Sequence, residues 1–496
     1  MFKLEIFLMI QFALFEACKP CYLEDEQCIC SNNDITCSAS NLDQQNHLDF
    51  ERLNLTSNES TKLIIKNKNF IKIKSPYQQF FYPLNIINYL EMTQNRIDRI
   101  DAYAFQGLSS LETLMLTQNE IVSIDISSFQ GFIGLNLKKL EMYSNQIEFI
   151  PNRTFETLIK LEYLDVSKNL INSLEIDSFR GLGQLTTLKL NENKIQILRK
   201  GLFNNLNKLV DLWLNYNQIR VIETESLSQS LVNLKELVLN TNQIMTTQNG
   251  IFSNLKNLKF LWLKENSIKS IDADLFGELN NLSILELYSN RIETIKNFTF
   301  KSLISLETLQ LDRNEINRIE LNAFKGLYSL KSLSLYRNKI AQMQDELFLD
   351  LVELNDLWLN LNDIVEIGEN IFQNNPKLTT LALEANKIAK IPNRLFNKLT
   401  RLETLWFNQN QISEIEIDSF RNLSSIKMLY LSINRIKQIE YGLFNNLSKL
   451  ERLELHQNDI GFIEKHSFEG LNRLSSLHLH TNKMKLINRP LMKVHR

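Results

Sequence analysis

The sequence is sparing with the residues that most catalytic and cofactor sites need. Histidine occurs six times and glycine 13 times in 496 residues, and no glycine-rich loop of the kind that cradles phosphate is present. The chain is therefore expected to be no enzyme and to hold no cofactor and no metal. Neither sign of charge dominates. With 55 basic and 57 acidic residues the net charge is -2, which excludes the basic footprint of a nucleic-acid binder. Cysteine disappears after Cys37, all five lying between Cys18 and Cys37. Long apolar runs are missing too, except at the start, where Lys3 precedes a run from Ile6 to Phe15 that ends near Ala17. Residues 1–17 read as a secretory signal peptide, shorter than the roughly 20 apolar residues of a membrane span. After its removal no span is expected, and the protein is placed outside the cell, where confined cysteines form disulfides.

What is abundant is a period. Seventeen asparagines recur at a spacing of 24, from Asn95, Asn119, Asn145 and Asn169 through Asn314, Asn338 and Asn362 to Asn458 and Asn482, with one step of 26 and one of 25. Each sits in the same apolar frame, exemplified by Leu402, Leu405, Phe407, Asn410, Ile412, Ile415, Phe420 and Leu423. A strict period over this length means one unit stacked many times, a solenoid. The alternation at Leu405, Trp406 and Phe407 turns alternate side chains in and out of a short strand. Equal repeats place these strands side by side in parallel, about 4.8 Å apart, so that about seventeen rungs span roughly 80 Å.

The asparagine falls where the chain leaves the strand and backbone groups lose their sheet partners. A carboxamide carries both donors and an acceptor and can satisfy groups of both kinds, so the column is read as structural. Phenylalanine forms a second column, from Phe105, Phe129 and Phe155 to Phe420, Phe444 and Phe468, which takes 15 of the 29 phenylalanines and is broken at Leu227. Rings stacked opposite the strands would widen that side and leave the sheet on a concave face.

This frame resembles the leucine-rich repeat of the typical 24-residue extracellular class, over about four fifths of the chain. Toll-like receptor ectodomains, chaoptin, Slit and the small leucine-rich proteoglycans are built from it. The resemblance implies an α/β solenoid, a leucine-rich repeat horseshoe with a parallel concave sheet. Residues 18–62 would form an amino-terminal cysteine cap and 63–496 a solenoid of about 18 repeats, the last one partial. Cys21, Cys28, Cys30 and Cys37 resemble the cap of that class. Four cysteines allow three pairings, and the resemblance favours Cys21 with Cys30 and Cys28 with Cys37; zinc binding is the other reading of such a set. Cys18 is left over, to leave with the signal peptide, remain a free thiol or pair with another molecule. No cysteine-rich cap follows Asn482. Either the partial turn seals that end, or a second subunit covers it, or the sequence is a truncated product; the second reading makes the end a candidate for self-association.

Seven N-glycan acceptor sequences, at Asn54, Asn58, Asn152, Asn281, Asn297, Asn422 and Asn446, all avoid the strand columns and would leave the sheet bare.

All four tryptophans, Trp213, Trp262, Trp358 and Trp406, occupy the outward strand position, and Tyr430 continues that column. The period separates Trp213 from Trp262 by Val238, and Trp358 from Trp406 by Ala382, so each pair is expected to flank a groove about 10 Å wide. Tyr143, Tyr288 and Tyr336 sit two residues before their asparagines and also face outward, with Tyr216 one before. Exposed rings dominate recognition energies, and these residues are the candidate partner-binding set; lateral packing on neighbouring strands is the plainer reading. Outward positions between them carry mixed charge at Glu91, Glu141, Asp165, Lys189, Glu286, Glu384 and Glu454, suited to selective contact or simply solvated. Near the end, His456, His478 and His480 cluster; solvent-exposed polar filler is the plainer reading, with release of a bound partner on protonation at mildly acidic pH, or metal binding, as the others.

The expected function is recognition of an extracellular protein or glycoconjugate through the concave face, in innate immunity or ligand carriage. The alternatives are a matrix or cell-adhesion component and a non-catalytic subunit of a secreted enzyme.

Overall fold

The computed structural model describes residues 28–31, 34–38, 61–66, 72–73, 87–105, 108–130, 136–227, 229–245 and 250–484. The expected signal peptide, Cys18, Cys21, Asn54, Asn58 and the expected last partial repeat beyond residue 484 lie outside them. The chain divides into two compact units, Met1–Leu237 and Val238–Arg496. Each is a parallel β-solenoid whose turns are the sequence repeats.

In the first unit the strands Ile87–Glu91, Thr113–Met115, Lys139–Glu141, Tyr163–Asp165, Thr187–Lys189 and Asp211–Trp213 pair in parallel, with Leu90, Leu114, Leu140, Leu164, Leu188 and Leu212 in register. Ahead of them, Thr61–Lys66 pairs in parallel with Asp34–Ser38, which pairs antiparallel with Cys28–Ser31 and sets the backbone of Cys28 opposite Cys37. In the second unit the same ladder runs from Phe260–Trp262 and Ile284–Glu286 through Asp356–Trp358, Thr380–Ala382 and Thr404–Trp406 to Met428–Tyr430, Arg452–Glu454 and Ser476–His478. Two-residue strands such as Phe149–Ile150 with Ser173–Leu174 form a second, minor ladder. The return segments are turns. Among the described residues the only helix is a short 3-10 segment, Gln229–Leu231, and no helix is long and apolar enough to cross a membrane.

Period-two patterning produces this directly. Leu405 and Phe407 are fully buried while Trp406 between them is half-buried, because successive residues of a strand face opposite sides. The phenylalanine column is buried and stacked in runs within each unit: Phe300 lies 5.9 Å from Phe276 and 6.2 Å from Phe324, centroid to centroid. Such spacing is the favourable offset range for aromatic pairs.

The asparagine ladder is a complete hydrogen-bond exchange. Asn314 Nδ2 donates to the carbonyls of Leu287, Leu311 and Asp312 at 3.0, 3.0 and 3.2 Å, and Asn314 Oδ1 accepts from the Ile292 amide at 3.0 Å. One buried side chain thus satisfies four backbone groups across two turns, as expected for a carboxamide and impossible for aspartate or leucine. The residue before every ladder asparagine has a left-handed backbone, from Gln94 at φ 57° to Thr481 at φ 58°. No glycine occupies these positions, and at two of them stand Leu361 and the β-branched Ile433, with φ 54° and 55°. The ladder bonds hold side chains in a region that costs about 1–2 kcal/mol per L-residue.

Lys–acid pairs one repeat apart stitch the flanks, as at Lys331–Glu307, Lys339–Glu315 and Lys427–Glu403, 2.7–3.0 Å long. Being exposed and screened by solvent, each contributes little to stability.

Candidate functional site

The outward strand face is the surface the framework does not use. In the second unit its register runs Trp262, Glu286, Gln310, Ser334, Trp358, Ala382, Trp406, Tyr430, Glu454, His478. The groove expected between Trp358 and Trp406 is absent. Their ring centroids are only 5.6 Å apart with planes at 27°, although the strands carrying them are two rungs, about 10 Å, apart. Ala382 between them is fully buried, and its methyl group is small enough for both indoles to lean together over it. Tyr430 extends the stack, 5.9 Å from Trp406 with ring planes nearly parallel at 7°, and Arg452 lies 6.0 Å over the Tyr430 ring. The result is a half-buried ridge of two indoles, a phenol and a guanidinium.

Beside the ridge runs a row of acceptors. Asn360 Nδ2 donates to Glu384 Oε1 at 2.7 Å. Asn360 Oδ1, Glu384 Oε2 and Asn408 Oδ1, from three successive turns, are buried without hydrogen-bond partners. Burial pushes the Glu384 carboxyl above the usual glutamate range, offset in part by hydrogen bonds from its own backbone and from Asn360. Burial also raises Asp312 and Glu286, the latter against the opposing pull of Lys264 at 3.2 Å.

The other predicted residues of this unit are more dispersed. Trp262 packs on Phe260 at 6.3 Å, Tyr288 lies under Lys264 at 5.0 Å, and Tyr336 lies near Arg313 at 6.0 Å; all three are half-buried.

The first unit carries a different surface. Its register sets Glu91, Met115, Glu141, Asp165, Lys189 and Trp213 in one row. Lys189 bridges two rings, 4.6 Å from Trp213 and 5.5 Å from Tyr163, while Tyr143 is half-buried and Tyr216 exposed. The acids of this row are not solvated but buried: Glu91, Glu141 and Asp165 are 5–8% exposed. Each is satisfied locally. Glu91 accepts from Tyr89, Thr93 and Lys66 at 3.0, 3.0 and 2.6 Å; burial raises its carboxyl, but these contacts hold it below the ordinary value. Tyr89 is pushed up to about 12, first by burial and then by Glu91. Asp165 accepts from the Ser167 amide and hydroxyl at 2.9 and 2.6 Å.

At the end of the second unit the three histidines do meet. His456 stacks on His480 at 4.6 Å, with His478 6.2 Å from His456. Burial and then the two neighbouring imidazoles push His456 below the ordinary histidine value. Glu454, held by Arg452 at 2.5 Å, lies between His456 and His478.

The described glycan acceptors lie in turns, none in a strand. Asn281, Asn297, Asn422 and Asn446 are exposed, and Asn152 is half-buried with its amide donated to Glu175.

Equal turns, an asparagine ladder and an unspent outward strand face define a repeat solenoid. A family model described as leucine-rich repeat matches residues 85–136, 135–195, 183–231, 376–436 and 426–484, and one described as BspA type leucine-rich repeat region, in six copies, matches 246–379. The chain belongs to the leucine-rich repeat proteins. It is similar to a leucine-rich repeat protein of Leptospira interrogans, at 25% identity over 81% of this chain and 99% of that one, TM-score 0.60. The fold is also similar to a chain of the Drosophila Toll–Spatzle complex, at 20% identity over 90% of this chain and 67% of that one, TM-score 0.67. A third likeness is to the ectodomain of an Arabidopsis thaliana membrane receptor kinase in complex with Casparian strip integrity factor 2, at 21% identity over 86% and 53%, TM-score 0.55. The last two likenesses are of fold alone. No curated protein matches the sequence.

Proposed function

We propose that this is a secreted, glycosylated, non-enzymatic recognition protein that binds a protein or glycoconjugate through the outward strand face of its second unit, in innate immunity or ligand carriage. The observation that carries the reading is the Trp358, Trp406 and Tyr430 stack. These rings lie on the outward strand face and are only half-buried, and half-exposed aromatics of this kind are the usual anchors of recognition surfaces. The unpaired acceptors of Asn360, Glu384 and Asn408 beside them would receive donors of a bound partner, such as guanidinium, ammonium or sugar hydroxyl groups. A ridge calls for a partner that offers a cleft. Structures of this fold with Spatzle and with Casparian strip integrity factor 2 support a protein or peptide ligand. Disulfides at Cys21–Cys30 and Cys28–Cys37 belong to the same reading; for the second, backbone register supports it, since Cys28 stands opposite Cys37.

The test is capture of a partner from the native extracellular fluid by the wild type and by the Trp358→Ala/Trp406→Ala variant. The variant should lose the captured species by at least about tenfold while melting as the wild type does. Undiminished capture by a folded variant would contradict the assignment of this face.

A further inference from the structure

We propose that Glu454, His456 and His478 form a binding site for a divalent metal ion of the zinc class, next to the aromatic ridge and joined to it through Arg452. Ligand atoms of the three residues, on two neighbouring turns, all lie within 4.8 Å of one another. Two of the separations are shorter: Glu454 Oε1 is 3.7 Å from His478 Nδ1, and Glu454 Oε2 is 4.0 Å from His456 Nδ1. Around tetrahedral zinc, nitrogen and oxygen ligands sit about 2.0–2.1 Å from the metal and so roughly 3.3 Å from each other. Modest rotation of the half-buried imidazoles brings the three donors to that spacing.

The surroundings prepare the donors. His478 Nε2 is 3.1 Å from Ser476 Oγ, and an Nε2–H donated to that hydroxyl leaves the Nδ1 lone pair free on the side of Glu454. His456 Nδ1 is buried and has no hydrogen-bond partner, a costly state that a metal ion would relieve. Arg452 binds Glu454 Oε1 through Nε and Nη2 at 2.7 and 2.5 Å, which fixes the carboxylate between the two imidazoles. Two imidazoles and one carboxylate suit zinc and its transition-metal neighbours better than magnesium or calcium, which prefer all-oxygen sets. Three protein ligands leave a fourth position for water or for a group of a bound partner. His480, stacked on His456 with Nδ1 3.2 Å from Thr481 Oγ1, stays outside the set.

The site is tested by calorimetric titration of the full chain, cysteines oxidised, with zinc chloride. The wild type should take up one ion per chain and melt at higher temperature with zinc present, by ordinary linkage. His456→Ala and His478→Ala should each weaken binding by at least about tenfold, and His466→Ala, in the return segment between the two strands of the site, should not. Because the amino-terminal cysteines are competing zinc ligands, cobalt(II) serves as a spectroscopic probe. Visible d–d bands without a sulfur charge-transfer band support the site. It is overturned by no saturable uptake in the wild type, by unchanged uptake in both alanine variants, or by a sulfur charge-transfer band as the sole cobalt signature. Should the alanine variants melt without cooperativity, Glu454→Gln and the wild-type cobalt spectrum decide between the same outcomes.

Discussion

The ladder asparagine is the residue on which both solenoid units rest. Because Asn314 serves four backbone groups, Asn314→Leu should destabilise its unit by about 2–4 kcal/mol, most of it from unpaired buried amide and carbonyl groups. Chemical denaturation measures this, and a loss below about 0.5 kcal/mol would show that the backbone finds other partners. The neighbouring left-handed residues give the opposite sign. Ile433, exposed and β-branched at φ 55°, should gain about 1 kcal/mol on Ile433→Asn, which tolerates that backbone region. Glu384 adds a pH dependence. Its carboxyl is raised in the folded state, so the folded protein holds that proton more tightly than the unfolded chain. The charged form therefore costs stability, which is regained as pH falls through the raised value and is fully restored below the ordinary glutamate value. Glu384→Gln should stabilise by on the order of 1 kcal/mol near pH 7 and by almost nothing near pH 4, in paired urea titrations. Equal gains at both pH values would place the effect in packing.

At the scale of the element, what could be read from the sequence was whatever repeats. The 24-residue period located the strand leucines, the buried asparagines and the stacked phenylalanines, since each is set by a local frame and a translation of one turn. The phenylalanine column should be as costly to interrupt as it looks: Phe324→Ala, between Phe300 and Phe348 at 6.2 and 6.1 Å, is expected to cost about 3–5 kcal/mol in thermal or urea unfolding. What stayed hidden depends on contacts between turns. Spacing placed Trp358 and Trp406 two rungs apart but could not show that Ala382 lets them close into a ridge. Charge pattern placed Glu91 and Asp165 on the outward face but could not show them buried among tyrosine, threonine, serine and lysine partners. The left-handed positions gave no signal at all, because glutamine, arginine, leucine and isoleucine occupy them in place of glycine. His456 and His478 were visible as neighbours, while the part of Glu454 between them required the register.

At the scale of the whole molecule, the two compact units share one repeat and differ in their outward surfaces. The first presents lysine over tyrosine and tryptophan beside buried acids. In the second the aromatic ridge is followed by arginine, glutamate and histidine. A repeat frame fixes the fold and leaves the outward strand positions free to vary, so function is assigned from those positions and not from the frame. The most direct test is site-specific photo-cross-linking with p-benzoylphenylalanine, placed at Tyr430 on the ridge and, separately, at the exposed turn residue Asn422, in the presence of the captured partner. The account predicts a covalent adduct from position 430 and none from position 422; an adduct from 422 alone would contradict it.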